Sequence, residues 1–360
     1  MTIQENVPLA PLTTMQVGGP ARYLVEAASE DDVGGAVDFA RAKGLPLFVL
    51  GGGSNLVVAD SGWPGLVLKI AIGGITQHEE DSAVLFDAGG GVDWDEFVAQ
   101  AVAQNCAGVE CLSGIPGSVG GTPVQNVGAY GQEVSDTIES VRAFDLKANG
   151  VVILPEEACG FRYRTSVFNS TERGRYIILR VTYRLRPGGT PSLKYDDLKK
   201  HFATSGSRPS LAEVRAAVRQ IRQSKGMLIV LGDADCRSAG SFFKNPVLSE
   251  AQVSDLARRA SAKGLKIPSY PALDAQHKVS AAWLVEHSGF AKGFTLGAAG
   301  ISQKHALALI NKGAASAADI VRLEKMIQQG VEEAWGIVLE QEPVLVGFGK
   351  VPGSRISSAL

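Results

Sequence analysis

A short apolar run at residues 45–50 passes directly into Gly51-Gly52-Gly53-Ser54-Asn55. An apolar run of four to eight residues bounded by turn signals suits a buried strand. Glycines placed straight after such a strand leave backbone N–H groups uncovered by side chains, and nests of that kind bind phosphate oxygens. Ser54 and Asn55 add side-chain donors. A tight strand-to-helix turn is the plain alternative. The clusters recur, however, at Gly89-Gly90-Gly91 and in Gly114-Ile115-Pro116-Gly117-Ser118-Val119-Gly120-Gly121, which is followed by Gln125-Asn126 and Gly128-Ala129-Tyr130-Gly131. The chain holds 42 glycines in 360 residues without a low-complexity repeat, so they mark close backbone approach or tight turns.

Neither common nucleotide motif accounts for them. The 114–121 segment has no strand leading into it and no ribose-binding acid at the usual distance, so it is not a Rossmann fingerprint. The Gly-Lys-Ser/Thr ending of a P-loop is also missing. Glycine loops without either motif point to a pyrophosphate cradle of another architecture.

The surrounding pattern is α+β. A strand is predicted at 21–28, a helix at 31–43 capped by Ser29 and stopped by Gly44, and a strand at 66–70. These form a first unit at 1–72. A strand at 83–88, a helix at 94–104, an Asn149-Gly150 hairpin between 140–146 and 151–154, and a strand at 175–185 follow. Ser210 and Glu213 form a capping box opening a helix to about 225, which closes a second unit at 73–225. A third unit, 226–330, carries helices at 249–264, 279–287 and 316–335. A closing strand at 337–347 is expected to return, with the rest of 331–360, to the second unit. The tail at 352–360 reads as frayed.

Net charge is −2, which gives no electrostatic reason to expect nucleic acid or an anionic membrane as partner. No apolar run approaches the ~18 residues of a membrane helix, and the first eight residues lack a signal-peptide pattern. A cytoplasmic location is the expectation. Cys106, Cys111, Cys159 and Cys236 form no metal or redox spacing and read as free thiols; His277, His287 and His305 share no ligand spacing, so no metal is expected. No motif sets an oligomeric state, and a monomer is compatible with the pattern.

Six segments in order now carry a resemblance: 50–56 (Leu-Gly-Gly-Gly-Ser-Asn-Leu), 108–117, 125–131, Phe161-Arg162-Tyr163-Arg164, Gly240-Ser241-Phe242-Phe243-Lys244-Asn245-Pro246, and Glu342 five residues before Gly347. In these, and in Pro11–Gly19, the chain resembles the UDP-N-acetylenolpyruvoylglucosamine reductase (MurB) family from about residue 8 to 347. The resemblance implies a two-part FAD-binding fold of the vanillyl-alcohol-oxidase type, followed by a C-terminal α+β substrate domain. It implies reduction of UDP-N-acetylglucosamine enolpyruvate to UDP-N-acetylmuramate, with noncovalent FAD and with NADPH as electron donor. Another FAD-dependent oxidase or dehydrogenase of the same fold is the alternative.

Residue by residue, the resemblance makes Ser241 the proton donor, and Arg164 and Glu342 the pair around the enolate. Arginine offers a planar, permanently charged fork suited to a carboxylate or enolate. Glu340 is a rival for Glu342, since alternation places both on one strand face. The cofactor loops are Gly51, Gly52, Gly53, Ser54 and Asn55; Gly114, Ile115, Pro116, Gly117, Gly120 and Gly121; and Gln125, Asn126, Gly128, Ala129 and Tyr130. Tyr195 matches a loop tyrosine that closes over the diphosphate in one subclass. Tyr163, Lys225, Lys244, Asn245, Tyr270 and Lys278 are further substrate-side candidates. The 226–237 segment looks longer than in some relatives.

Overall fold

The computed structural model describes residues 1–203, 207–272 and 275–349; the expected frayed tail lies outside them. Ser29 starts the first helix, Glu30–Ala42, by accepting the Asp32 N–H at 3.1 Å, and three acids in its first turn suit the positive end of the helix dipole. Its face of Val33, Ala36, Val37 and Ala40 is buried. That face meets a four-stranded sheet ordered Ile3–Pro8, Pro20–Ala27, Trp63–Ile70, Leu47–Leu50, with the last three parallel. Phe144, Leu146, Ile177 and Leu179, from a second sheet, join the same core. The helix is therefore shared between two sheets. The other face of the first sheet buries Leu24, Phe48, Leu50 and Val67 against Leu56, Val58 and Val346. Burial on both faces explains why Leu47–Leu50 is an unbroken apolar run and Trp63–Ile70 nearly one.

The second sheet is antiparallel, ordered Gly150–Pro155, Ile138–Asp145, Tyr176–Pro187, Ala83–Gly89, Ile75–Glu80. Asn149 takes the left-handed conformation (φ 56°) that its hairpin turn requires. Ile75–Glu80 was not predicted, because Ile-Thr-Gln-His-Glu-Glu lacks apolar alternation; it is an exposed edge strand. The helix Leu211–Ser224 opens with the expected capping box.

The third core gathers around the helix Ala317–Trp335, which stops at Gly336 in the left-handed region. Asp60 of the first sheet's connections accepts the N–H groups of Ala317 and Ala318 at 2.8 and 3.1 Å, tying this helix to the first unit. The closing segment differs from expectation. Residues 331–335 continue the helix, the strand shrinks to Val344–Val346, and it pairs in parallel with Leu56–Val58. It therefore joins the first unit, not the second. Likewise His277–Val279 is a strand rather than the start of a helix; Ser280 caps the helix Ala281–Glu286 by accepting the Trp283 N–H.

Glu324 sits in the third core at 2% exposure with no hydrogen bond among the described residues. Burial pushes its carboxyl up from near 4.5 to about 7, against a smaller opposing pull from Lys325. The folded chain then holds a proton that the unfolded chain loses, so stability is full below about pH 4.5 and falls as pH rises through about 7. The loss is roughly 3 kcal/mol at most. Glu324→Gln is expected to flatten the fall in melting temperature between mildly acidic and mildly alkaline buffer; an unchanged slope would place the titration elsewhere.

Candidate active site

The glycine loops meet backbone to backbone. A Cβ on Gly52 would lie 2.5 Å from the Gly117 Cα, and one on Gly53 would lie 2.0 Å from the Leu12 carbonyl oxygen. Gly53 (φ 65°) and Gly117 (φ 126°) also sit where side chains are disfavoured. Together the loops wall a cleft of about 400 Å³ and an adjoining cavity of about 470 Å³. Gly51, Gly52, Ile115, Pro116, Gly117 and Ser118 line both, Gly114 lines the second, and Gly53, Ser54, Asn55, Gly121, Gln125, Gly128, Ala129 and Tyr130 line the first.

Among the described residues, the N–H groups of Gly52, Gly53, Ser54, Gly117 and Ser118 donate to no protein acceptor, and the buried Ser118 hydroxyl has no partner. Buried unpaired donors are costly. Clustered here, with no side chain between the loops, they fit the pyrophosphate of FAD. Two expected loop residues serve only as braces. Gly120 donates to the Gly90 carbonyl at 2.9 Å. Asn126 is buried, with Nδ2 donating to Glu133 and to the Arg162 carbonyl while Oδ1 accepts the Ser135 N–H.

Ser241, Arg164 and Glu342 line the first cleft as well. Ser241 follows Gly240 (φ 74°) and precedes Phe242 and Phe243, both buried in the third core. Glu342 donates its N–H to the Phe242 carbonyl at 2.9 Å, and Lys244 does the same to Glu340. This pairing sets the Glu342 segment beside the Ser241 segment. Asn55 Nδ2 donates to Gln125 Oε1 at 2.7 Å and to the Glu342 carbonyl at 3.3 Å, so a glycine loop holds the same segment.

Arg164 takes a left-handed backbone (φ 54°), as do Asn126 (44°) and Tyr130 (48°) nearby. Such positions cluster at functional sites. Its guanidinium donates to the Gly128 carbonyl at 2.7 Å, and Nε lies 3.3 Å from Glu342 Oε1. Burial pushes the Glu342 carboxyl up, opposed by Arg164 and Lys244. Glu340 is separated from this pair: it is exposed and binds Lys244 at 2.5 Å. The backbone at 340–342 forms one isolated bridge rather than a strand, so alternation does not apply.

The other candidates divide. Tyr163, Asn245, Tyr195 and Lys225 line the first cleft. Tyr195 is half exposed and meets Tyr130 edge-on at 5.3 Å. Lys225 binds Asp197 at 2.5 Å. Desolvation lowers the Lys225 ammonium, but Asp197 and the two tyrosines outweigh it and hold it above its usual value. Lys278 does not line the cleft but lies 3.7 Å over the Tyr163 ring, its ammonium pushed down by burial and by Arg164. Lys244 is engaged with Glu340, and Tyr270 is exposed on a short strand opposite Lys278; neither reaches the cleft.

Three lining residues were not foreseen. Arg222 donates to the Gly114 and Met227 carbonyls and makes no ion pair among the described residues. Arg215, Arg219 and Arg222 form a helical stripe that was legible in the sequence; the first two are consumed by Asp95, leaving Arg222 as a cation facing the cleft. His305 accepts the Leu307 N–H at Nδ1. Burial and nearby Lys225, Lys292 and Arg222 push it down to about 4, so it is neutral with Nε2 as donor. Ser118 is the third.

Similarity to known proteins gives the family. The family model described as UDP-N-acetylenolpyruvoylglucosamine reductase, C-terminal domain, matches residues 232–346, and an FAD binding domain model matches 21–154. The UDP-N-acetylenolpyruvoylglucosamine reductase of Thermobifida fusca is 44% identical over 95% of this chain and 97% of its own length. That of Streptomyces avermitilis is 44% identical over 95% and 94%. The crystal structure of UDP-N-acetylenolpyruvylglucosamine reductase (MurB) from Thermus caldophilus superposes with a TM-score of 0.65 at 26% identity, over 96% of this chain and 99% of that one. The expected α+β fold, an FAD-binding part in two pieces followed by a C-terminal domain, is the one found, and the chain belongs to the UDP-N-acetylenolpyruvoylglucosamine reductase family of FAD-dependent oxidoreductases.

Proposed function

We propose that this chain reduces the enolpyruvyl group of UDP-N-acetylglucosamine enolpyruvate to give UDP-N-acetylmuramate, using NADPH, in the cytoplasmic stage of peptidoglycan synthesis. The observation that carries this is that Ser241, Arg164 and Glu342 line one cleft with the phosphate-type glycine loops. The Gly51–Asn55 and Gly114–Ser118 loops would hold FAD, which when bound would supply hydride chemistry between NADPH and the enolpyruvyl methylene carbon. The chain's own groups then manage charge and proton. Arg164 faces the carboxylate and the enolate that develops beside it, where a preorganised cation is most effective. Glu342 orients Arg164, and in its protonated form donates to the enolate oxygen. The Ser241 hydroxyl, without a protein partner among the described residues, gives its proton to the carbon that bears the carboxylate.

Arg222, Lys225 and neutral His305 supply donors for the diphosphate, and Tyr195 closes from the rim. A phenol donates to phosphate without adding charge. Tyr195→Phe is accordingly expected to raise KM for the UDP substrate several-fold while NADPH-driven flavin reduction stays unchanged; unchanged KM would detach Tyr195 from substrate. No helix among the described residues is long and apolar enough to cross a membrane.

The test is product analysis in deuterated water. UDP-N-acetylmuramate should form with one solvent deuterium on the carbon bearing the carboxylate. Oxidation of an alcohol or hydroxy acid, with no reduction of the enol ether, would favour the oxidase alternative.

A further inference from the structure

We infer that Thr14 is a positioning residue for the protonation step, its hydroxyl fastening the loop that carries Ser241 to the glycine loop of the cofactor site. This rests on the function proposed above. Ser241 is held from two directions. Downstream, Phe242 donates its N–H to the Leu307 carbonyl at 2.7 Å and is fully buried in the third core. That anchor refers Ser241 to the third unit only. Upstream, the Thr14 hydroxyl lies 2.6 Å from the Ser238 carbonyl, three residues before Ser241, and 3.3 Å from the Ser54 carbonyl. The Thr14 N–H donates to the Gly53 carbonyl at 3.1 Å. One residue thus touches both the glycine loop and the serine loop.

A hydroxyl has one proton, and the 2.6 Å contact takes it, so the Ser238 bond is the strong one. The N-terminal segment is itself pinned. Asn311 Nδ2 donates to the Met15 and Gln16 carbonyls at 3.2 and 3.1 Å, and the Asn311 N–H donates to the Arg237 carbonyl at 2.9 Å. Ser238 also bridges to Ile310. The loop is therefore clamped between the 13–16 segment and the strand Leu309–Asn311. Gly240, between Ser238 and Ser241, carries no side-chain restraint, so loss of the upstream clamp frees the serine to drift. Proton transfer needs donor and acceptor within about 2.6–3.2 Å, and a displacement of about 1 Å can cost ~10²-fold.

The test compares Thr14→Val, which keeps the shape and removes the hydroxyl, with Thr14→Ser, which restores it. In the Val holoenzyme, NADPH-driven flavin reduction should stay within about threefold of wild type, and reoxidation by UDP-N-acetylglucosamine enolpyruvate should fall about tenfold or more. The Ser variant should recover most of that loss. Hydrogen exchange, read without substrate, should quicken in peptides spanning 237–241 for Val and not for Ser. Should the Val variant not fold, Thr14→Ala serves in its place. Equal loss in both half-reactions, unchanged reoxidation, or a Ser variant no better than Val would overturn the inference. If the wild-type enzyme is not reoxidised by this substrate, the functional reading fails instead, and the exchange measurement still decides whether Thr14 holds the loop.

Discussion

Ser241→Ala is expected to leave reduction of the flavin by NADPH within a few-fold of wild type and to slow its reoxidation by the enolpyruvyl substrate by ~10²–10³. That range corresponds to the ~2.7–4 kcal/mol typical of losing one preorganised donor to a transition state. The split follows from where Ser241 stands. It lines the cleft with Arg164 and Glu342, and among the described residues its hydroxyl has no protein partner. Phe242 and Phe243 keep the segment anchored in the third core after the substitution, so the fold should survive. Single-turnover stopped flow on each half-reaction reads the split. Parallel losses in both halves would mean that Ser241 supports the flavin site rather than protonation.

Arg164→Leu is expected to slow reoxidation by ~10² or more, and also to destabilise the chain. On the proposed reading Arg164 has two roles, as the cation facing the enolate and as the counter-charge 3.3 Å from part-buried Glu342. Removing one partner of a fully buried pair costs about 3–5 kcal/mol; this pair keeps 19% and 16% of its side-chain surface exposed, so the cost should fall between that and the roughly 0–1 kcal/mol of a surface pair. Desolvation already pushes Glu342 up, and without Arg164 only Lys244 opposes it. A raised carboxyl contributes stability that is full at low pH and lost as pH rises through its folded value. The variant's melting temperature should therefore fall more steeply with rising pH than that of wild type. Adding Glu342→Gln should restore much of the stability and none of the activity. Arg164→Lys should recover little, since an ammonium cannot span the Gly128 carbonyl and Glu342 together. A Lys variant with near-wild reoxidation would reduce Arg164 to a mere positive charge.

Much of this was legible in the residues. Ser29 and Ser210 each announce a helix and each accepts the expected backbone N–H, while Ser249 and Ser316, read as first helical residues, cap their helices in the same way. Local capping is decided within four residues, so a sequence carries it well. The closing strand was misplaced because nothing near Val344 states that its partner is Leu56. The pairing is set by the third core and by the Asn55 contacts to 342 and 344. The glycine loops were recognisable as close-approach backbone, but that Gly52 faces Gly117 required the fold. Lys244 and Lys225 look alike in sequence; Glu340 holds one outside the cleft while the other lines it. His305 gave no signal, because its neutrality comes from burial beside three cations brought from elsewhere in the chain.

The central claim is tested most directly by anaerobic stopped flow on NADPH-reduced enzyme mixed with UDP-N-acetylglucosamine enolpyruvate, followed by flavin absorbance. The expected result is rapid return of the oxidised flavin spectrum with formation of UDP-N-acetylmuramate in equal amount. A flavin that NADPH reduces but this substrate leaves reduced would contradict the proposed reaction while preserving the FAD-binding fold.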